Sequence, residues 1–261
     1  MKLTPISPNL SEIPAVFHPL LESNPVFDSS CSAQASVYYI PSGQGMFLKS
    51  APKGSLKSEA LLTGFYHSKG LAPEMLSYES ADKDWLLTAK LAGSDCLSPE
   101  YIENPVRLCD LTAELLRTLH DTSCEGCPIQ NRTELYLANA SKNYQAGNFD
   151  RTLFPDNWGY CTPEEAQHVV ESYGPYLKND TLLHGDYCLP NIILDNWSFS
   201  GFIDLGSGGV GDRHMDLFWG IWSLQFNLKT DKYRNRFLDV YGRDLVNEDI
   251  FPVISAIEVF A

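Results

Sequence analysis

No stretch of this sequence is long and apolar enough to read as a membrane span; the richest, 217–226, is broken by Gly220, Ser223 and Gln225. The opening Met1-Lys2-Leu3-Thr4-Pro5 lacks the apolar core of a secretory signal, so the chain is expected in the cytoplasm and away from membranes. Basic residues are scarce. There are 19 Lys and Arg against 33 Asp and Glu, a formal net charge of −14. That argues against nucleic acid, whose binding rests on neutralising phosphates with cations, and suits a cationic small molecule that a negative surface steers inward. The 7 cysteines are odd in number and irregularly spaced, which argues against a disulfide framework and for reduced thiols. Cys124 and Cys127 have only His120 nearby and no second Cys-x-x-Cys, so they read as a turn after a helix and not as a zinc site. The glycine-rich phosphate loops are missing from their usual places as well: no Gly-x-Gly-x-x-Gly precedes Lys49, and no Gly-x-x-x-x-Gly-Lys occurs anywhere. Nothing points to an obligate protein partner.

What is present is ample core material. The 261 residues are 44% hydrophobic and 12% aromatic, enough for one large domain or two lobes with a cleft. Residues 1–30, rich in Pro and Ser, predict a short helix near Ile13 to Leu21 and then loop. Val37–Ile40 and Met46–Lys49 read as a β-hairpin around a five-residue turn. Ser55 to Lys69 has helical periodicity at Leu61, Leu62, Phe65 and Tyr66, and Gly70 stops it. Strands are expected at Pro73–Tyr78 and Trp85–Thr88. Beyond residue 92 the pattern turns helical: 105–121 with a leucine stripe, 133–146 more weakly, and 162–173 opened by a Thr-Pro-Glu-Glu capping box. Further helices are expected at 212–228, 231–241 and 248–260. The fold class is therefore α+β, with an antiparallel-sheet part at 1–92 and a mainly helical part at 93–261.

The chain is organised around residues 182–206. Leu182-Leu183 delivers His184-Gly185-Asp186 onto a loop, and Asn191 follows five residues later. Two strand-like runs, Ile192–Leu194 and Phe199–Ile203, flank the polar turn Asp195-Asn196-Trp197-Ser198 and end at Asp204-Leu205-Gly206. Phosphoryl transfer from a nucleotide needs a group that orients and deprotonates a hydroxyl, and oxygen ligands for the magnesium that bridges the phosphates. Asp186 suits the first role; Asn191 and Asp204 suit the second, because magnesium takes a few hard oxygens and leaves its other positions to water and phosphate. Asp-x-x-x-x-Asn followed by Asp-x-Gly is the kinase pattern. Lys49 closes a strand and Glu59 lies in the next helix, the way kinase-like folds fix an ammonium against phosphates. The loop Ser29–Gln34, Ser32 within it, is placed to cover those phosphates with hydroxyls and amides.

These residues resemble the aminoglycoside 3′-phosphotransferase family, bacterial antibiotic kinases of protein-kinase-like bilobal fold. The likeness spans nearly the whole chain and rests on His184–Asn191, Ser200–Gly206, Gly208–Asp216, Leu86–Gly93 and Phe47-Leu48-Lys49 with Glu59. It implies an ATP- and Mg2+-dependent enzyme in which Asp186 is the base and Asn191 and Asp204 hold magnesium. Lys49 and Glu59 would grip the phosphates, Ala89 and Leu91 would read adenine, and His184 and Asp216 would support the catalytic loop. On the substrate side it implies Asp156, Glu258 and the terminal Ala261, facing a cationic aminoglycoside hydroxylated at the 3′ position. That side departs from the family: Ile257 stands where an aspartate is usual, Ala261 displaces the terminus by one, and Trp219, Trp222, Phe226 and Asn227 occupy positions where relatives place Arg and paired acids. The alternatives are a same-fold kinase for another hydroxyl compound (a sugar, a choline-like alcohol, a macrolide) and a non-catalytic nucleotide-binding module.

Overall fold

A computed structural model describes residues 3–31, 35–150 and 162–260. The chain separates into two compact units, Met1–Asp95 with Asn191–Gly206, and Cys96–Pro190 with Ser207–Ala261.

The first unit is built on a six-stranded antiparallel sheet of order β1-β2-β3-β4-β6-β5. Its strands are β1 (Thr4–Ile6), β2 (Val26–Asp28), β3 (Ser36–Ile40), β4 (Met46–Pro52), β5 (Met75–Ser80) and β6 (Lys83–Ala89). The hairpin β3–β4 and the strands β5 and β6 stand where the hydrophobic pattern puts them. The short strands β1, at the sheet edge, and β2, between β1 and β3, are additions to the expected helix and loop. Each is only three residues long and pairs with the other, Thr4 opposite Asp28, too short for a period-2 signal to register. Between them a 3-10 turn at Ala15–Phe17 runs into α1 (His18–Glu22).

Alternation along β4 sets the layers. Leu48, opposite Leu87, points into a cluster of Ile13, Phe17, Leu21, Ile40 and Trp85 beneath the sheet. Lys49 therefore points to the other face, where Ala60 of α2 (Lys57–Ser68) clusters with Ala51, Leu56 and Leu86. The buried stripe of α2 is Glu59, Ala60, Leu62, Thr63 and Tyr66, while Leu61 is exposed. Rotated by one position from the leucine pattern, this face carries a carboxylate inward.

After β6 comes β7 (Ser94–Asp95), and it explains why the hairpin 191–206 groups with the first unit and not with the helical part that surrounds it in sequence. Ser94 and Asp95 pair with Leu194 and Ile193, and Phe202 N–H donates to Leu71 O at 2.8 Å. The pairing requires close backbone approach: Gly93, at φ +89°, has no side chain, and a Cβ there would lie 2.0 Å from Leu194 O. The hairpin turns as a two-residue loop, with Asn196 and Trp197 both at positive φ and Asp195 paired with Ser198.

The second unit is helical: α3 (Pro99–Ile102), α4 (Pro105–His120), α5 (Arg132–Gln145), α6 (Pro163–Tyr173), α7 (His214–Leu228), α8 (Arg234–Gly242) and α9 (Phe251–Glu258). The capping box forms, Thr162 Oγ1 accepting from Glu165 N–H and Glu165 returning the contact. Cys127 N–H donates to Cys124 O in a turn, and among the described residues no cluster of His, Cys, Asp and Glu suits a metal. A short antiparallel pair, Thr181–Leu183 with Gly209–Gly211, is set among the helices and ends on the loop that carries His184-Gly185-Asp186. Among the described residues no helix is long and apolar enough to cross a membrane.

Candidate functional site

In the first unit three charged groups that are far apart in sequence meet. Lys49 Nζ lies 2.9 and 2.8 Å from the two oxygens of Glu59 and 2.7 Å from Asp204 Oδ1. β4 supplies the ammonium, the first turn of α2 the buried carboxylate, and the end of the hairpin strand the second, half-exposed one. Burial pulls the Lys49 pKa down, but Asp204 and Glu59 together outweigh it and leave it raised. Glu59 is also raised, by burial first, with Lys49 opposing and Asp204 adding to the rise. Two carboxylates thus share one ammonium and keep a net negative charge, a surplus that favours a further cation. Asp204 is held at φ +58°, a left-handed conformation uncommon for a residue with a side chain. Asn191 is buried and lies alongside: its carbonyl accepts from Ile203 N–H at 3.0 Å, just before Asp204. Carboxylate and carboxamide oxygens are the donor set of a hard divalent ion such as magnesium, with few protein ligands and no cage.

Of the two positions expected to read adenine, Ala89 ends β6 and donates its amide to Glu74 O at 2.9 Å. Leu91 O accepts from Lys90 Nζ, and its side chain packs where a Cβ on Gly201 would stand. Ser32, Asp156 and Ala261 lie outside the described residues.

The second unit positions Asp186. Asp216, fully buried on α7, accepts His184 N–H through Oδ2 and Gly185 N–H through Oδ1, both at 2.7 Å. The neighbouring loop residues are pinned in turn. Tyr136 O–H donates to Gly185 O, Tyr187 O–H to Thr112 O, and Leu189 N–H to Ser223 Oγ. His184 Nδ1 accepts from Asp186 N–H at 3.2 Å. Amid this rigid frame the Asp186 side chain is only half-buried. Burial, and then the Asp186 charge, push the adjacent Cys188 thiol far up, so it stays protonated. Tyr136 and Thr112 have no motif to announce them, since one acts through a lone hydroxyl and the other through a backbone carbonyl.

Gly185 is the tightest point. Its φ is +83°, and a Cβ would stand 1.8 Å from Ser207 O. Gly185→Ala is expected to cost about 1–2 kcal/mol from backbone conformation alone, with the clash in addition. A lowered denaturation midpoint together with lost activity checks this; an unchanged midpoint would mean that the loop can relax.

Glu258, on α9, is buried and accepts from Trp219 Nε1 at 3.0 Å. Burial raises its pKa to about 7, with Trp219 opposing and Asp186 adding to the rise. The folded chain then holds a proton that the unfolded chain, near 4.5, has released, so stability falls as pH rises from about 4.5 to 7. Glu258→Gln is expected to remove roughly 2–3 kcal/mol of that slope. Urea midpoints of the two proteins at pH 5 and pH 8 measure it, and parallel slopes would contradict it.

Comparison with known proteins gives the family of the chain. The model of a phosphotransferase enzyme family matches residues 31–251. A probable aminoglycoside 3′-phosphotransferase of Lactococcus lactis is 46% identical over 253 residues, spanning 97% of this chain and 96% of the relative. An aminoglycoside 3′-phosphotransferase of Niallia circulans is 34% identical over 220 residues, 82% of this chain and 83% of the relative. Among solved structures, an aminoglycoside-3′-phosphotransferase of type VIII matches with a TM-score of 0.75 at 25% identity, over 89% of this chain and 92% of that one. The expected α+β, protein-kinase-like fold is the fold of these relatives.

Proposed function

Since the chain belongs to the phosphotransferase enzyme family, we propose that it moves the γ-phosphate of ATP, with magnesium, to a hydroxyl of a small molecule, most specifically the 3′-hydroxyl of an aminoglycoside. The observation that carries the reading is the meeting of Lys49, Glu59 and Asp204 within 2.7–2.9 Å. Three segments converge to fix one ammonium, and an ammonium so fixed is what a polyphosphate requires. Glu59 holds Lys49 in place; Lys49 neutralises phosphate charge. Asn191 and Asp204 would hold magnesium, which would supply positive charge against the phosphate charge that develops in transfer. The Ala89 carbonyl and the Leu91 amide are the groups for the adenine edge. Asp186 accepts the proton of the acceptor hydroxyl and orients it, and Asp216 keeps its loop from drifting. A reaction drawing on ATP belongs in the cytoplasm, and no nucleic acid or protein partner enters it.

A second reading has one observation in its favour. Glu258, the acid expected to meet an ammonium, is buried and bonded to Trp219, and Trp222 stacks on Phe226 at 4.9 Å beside it on the same helix. Such a surface suits a less cationic hydroxyl acceptor processed by the same chemistry.

The test is ATP- and magnesium-dependent phosphorylation of aminoglycosides with and without a 3′-hydroxyl, with Asp186→Ala as control. Turnover confined to compounds carrying that hydroxyl supports the first reading. Transfer only to other alcohols supports the second, and nucleotide binding without transfer to any acceptor removes both.

A further inference from the structure

Asp216 has a third donor besides the His184 and Gly185 amides. His120, the last residue of α4, lies with Nε2 3.2 Å from Asp216 Oδ2 and Nδ1 2.8 Å from the Tyr241 hydroxyl. Neither the His120 nor the Asp216 side chain touches solvent. Hydrogen-bonding capacity fixes the protons. An ionised carboxylate only accepts, so His120 presents N–H at Nε2. Burial outweighs Asp216 in setting the His120 pKa and holds it below the usual value, so the ring is neutral and its Nδ1 accepts. Tyr241 must then donate to Nδ1. Arg213 Nη1, 3.4 Å from the same hydroxyl oxygen, can only donate and turns the tyrosine proton toward His120. Arg213 Nη2 also reaches Thr181 Oγ1 at 3.3 Å, on the strand that runs into His184. A chain of donors therefore runs from Arg213 through Tyr241 and His120 to Asp216.

We propose that Tyr241 is a positioning residue for the Asp186 loop, acting through His120: its hydroxyl selects the His120 tautomer whose Nε2–H anchors Asp216, and Asp216 anchors the two amides that precede Asp186. The kinetic consequence rests on the phosphotransfer reading; the tautomer and the protection of the amides do not. A plain core histidine packed edge-to-face on Tyr241, ring centroids 5.6 Å apart, would need the ring and not the hydroxyl. Tyr241→Phe separates the two roles, since it keeps the ring and removes only the proton.

The experiment uses the full chain with Tyr241→Phe, His120→Leu and His120→Gln, the last returning an N–H near Asp216. Nitrogen-15 NMR of wild type should show His120 protonated at Nε2 and bare at Nδ1. In Tyr241→Phe, amide exchange at His184 and Gly185 should speed up by about tenfold, and kcat should fall by roughly 5–20-fold with KM for ATP and acceptor within about twofold. His120→Leu should lose about 100-fold in kcat, of which His120→Gln recovers about tenfold. Protonation at Nδ1, or unchanged exchange at both amides in Tyr241→Phe, overturns the proposal. So does a rate loss matched by a rise in KM. If His120→Leu does not fold, Tyr241→Phe still decides. Wild type that transfers phosphate to no acceptor refutes the phosphotransfer reading alone, and the tautomer and the amide exchange rates then decide whether the network stands.

Discussion

Exchanging Asp186 for Asn is expected to lower kcat by roughly 10³-fold while leaving KM for ATP within about threefold, because a positioned general base contributes about 10²–10⁴. The exchange is close to isosteric and spares the contacts that shape the loop. The backbone ones are Cys188 N–H donating to Asp186 O at 2.8 Å and Asp186 N–H to His184 Nδ1, and an asparagine oxygen can still accept from the Cys188 thiol. What it removes is the negative charge and the proton acceptor. A second consequence sets this variant apart from one that has misfolded. The charge of Asp186 contributes to the raised pKa of Glu258, so in Asp186→Asn the Glu258 proton should be released at lower pH, and the pH at which stability declines should move down with it. Steady-state kinetics and urea midpoints across pH read both effects. Retention of more than about a tenth of the activity would remove Asp186 from the base role.

The parts legible in the sequence are those that local chemistry encodes. The capping box at Thr162, the hairpin of β3 and β4 and the Asn196-Trp197 turn each depend on residues a few positions apart, and each forms where the local pattern puts it. The spacing of Asp186, Asn191 and Asp204 is likewise local, since one loop and one hairpin carry all three. Long-range satisfaction is not legible in this way. Nothing near Glu59 in the sequence says that the stripe of α2 turns to bury it; the ammonium ten residues earlier and the carboxylate at position 204 explain it only in three dimensions. Helix α4 behaves in the same way. Its leucines suggest a face that includes Val106, yet Val106 is exposed, and Cys109, Thr112 and His120 are buried, two of them to serve Tyr187 and Asp216. The hairpin 191–206 joins the first unit through two residues of β7, a pairing too short for any periodicity to reveal. Polar groups buried for a distant partner are where pattern reading fails, and here they cluster around the residues assigned to chemistry.

Asp204→Ala is expected to abolish transfer, by about 10³-fold or more, with almost no loss of stability in the nucleotide-free protein. The asymmetry follows from the charge count around Lys49. With both carboxylates present, Asp204 adds to the raised pKa of Glu59 by repelling it. Removing Asp204 relieves that repulsion and leaves Lys49 paired with Glu59 at 2.8 Å. Against the relief stand the lost contact to Lys49, on a side chain 50% exposed, and the strain of alanine at φ +58°. Each amounts to about 1 kcal/mol, so the net change should stay within about that size. Lys49→Met is the contrasting case. It strands Glu59 in the buried face of α2 with no counter-charge, which costs about 3–5 kcal/mol when one partner of a buried pair is removed, softened by protonation of a carboxylate already raised. Both variants lose activity, but only Lys49→Met should show a markedly lower melting temperature. Its deficit should shrink as pH falls toward 5, because protonated Glu59 no longer needs the ammonium. Magnesium and ATP should raise the melting temperature of wild type and not of Asp204→Ala. If both variants were equally destabilised, the three groups would be a structural ion cluster, and the nucleotide would have to be sought elsewhere.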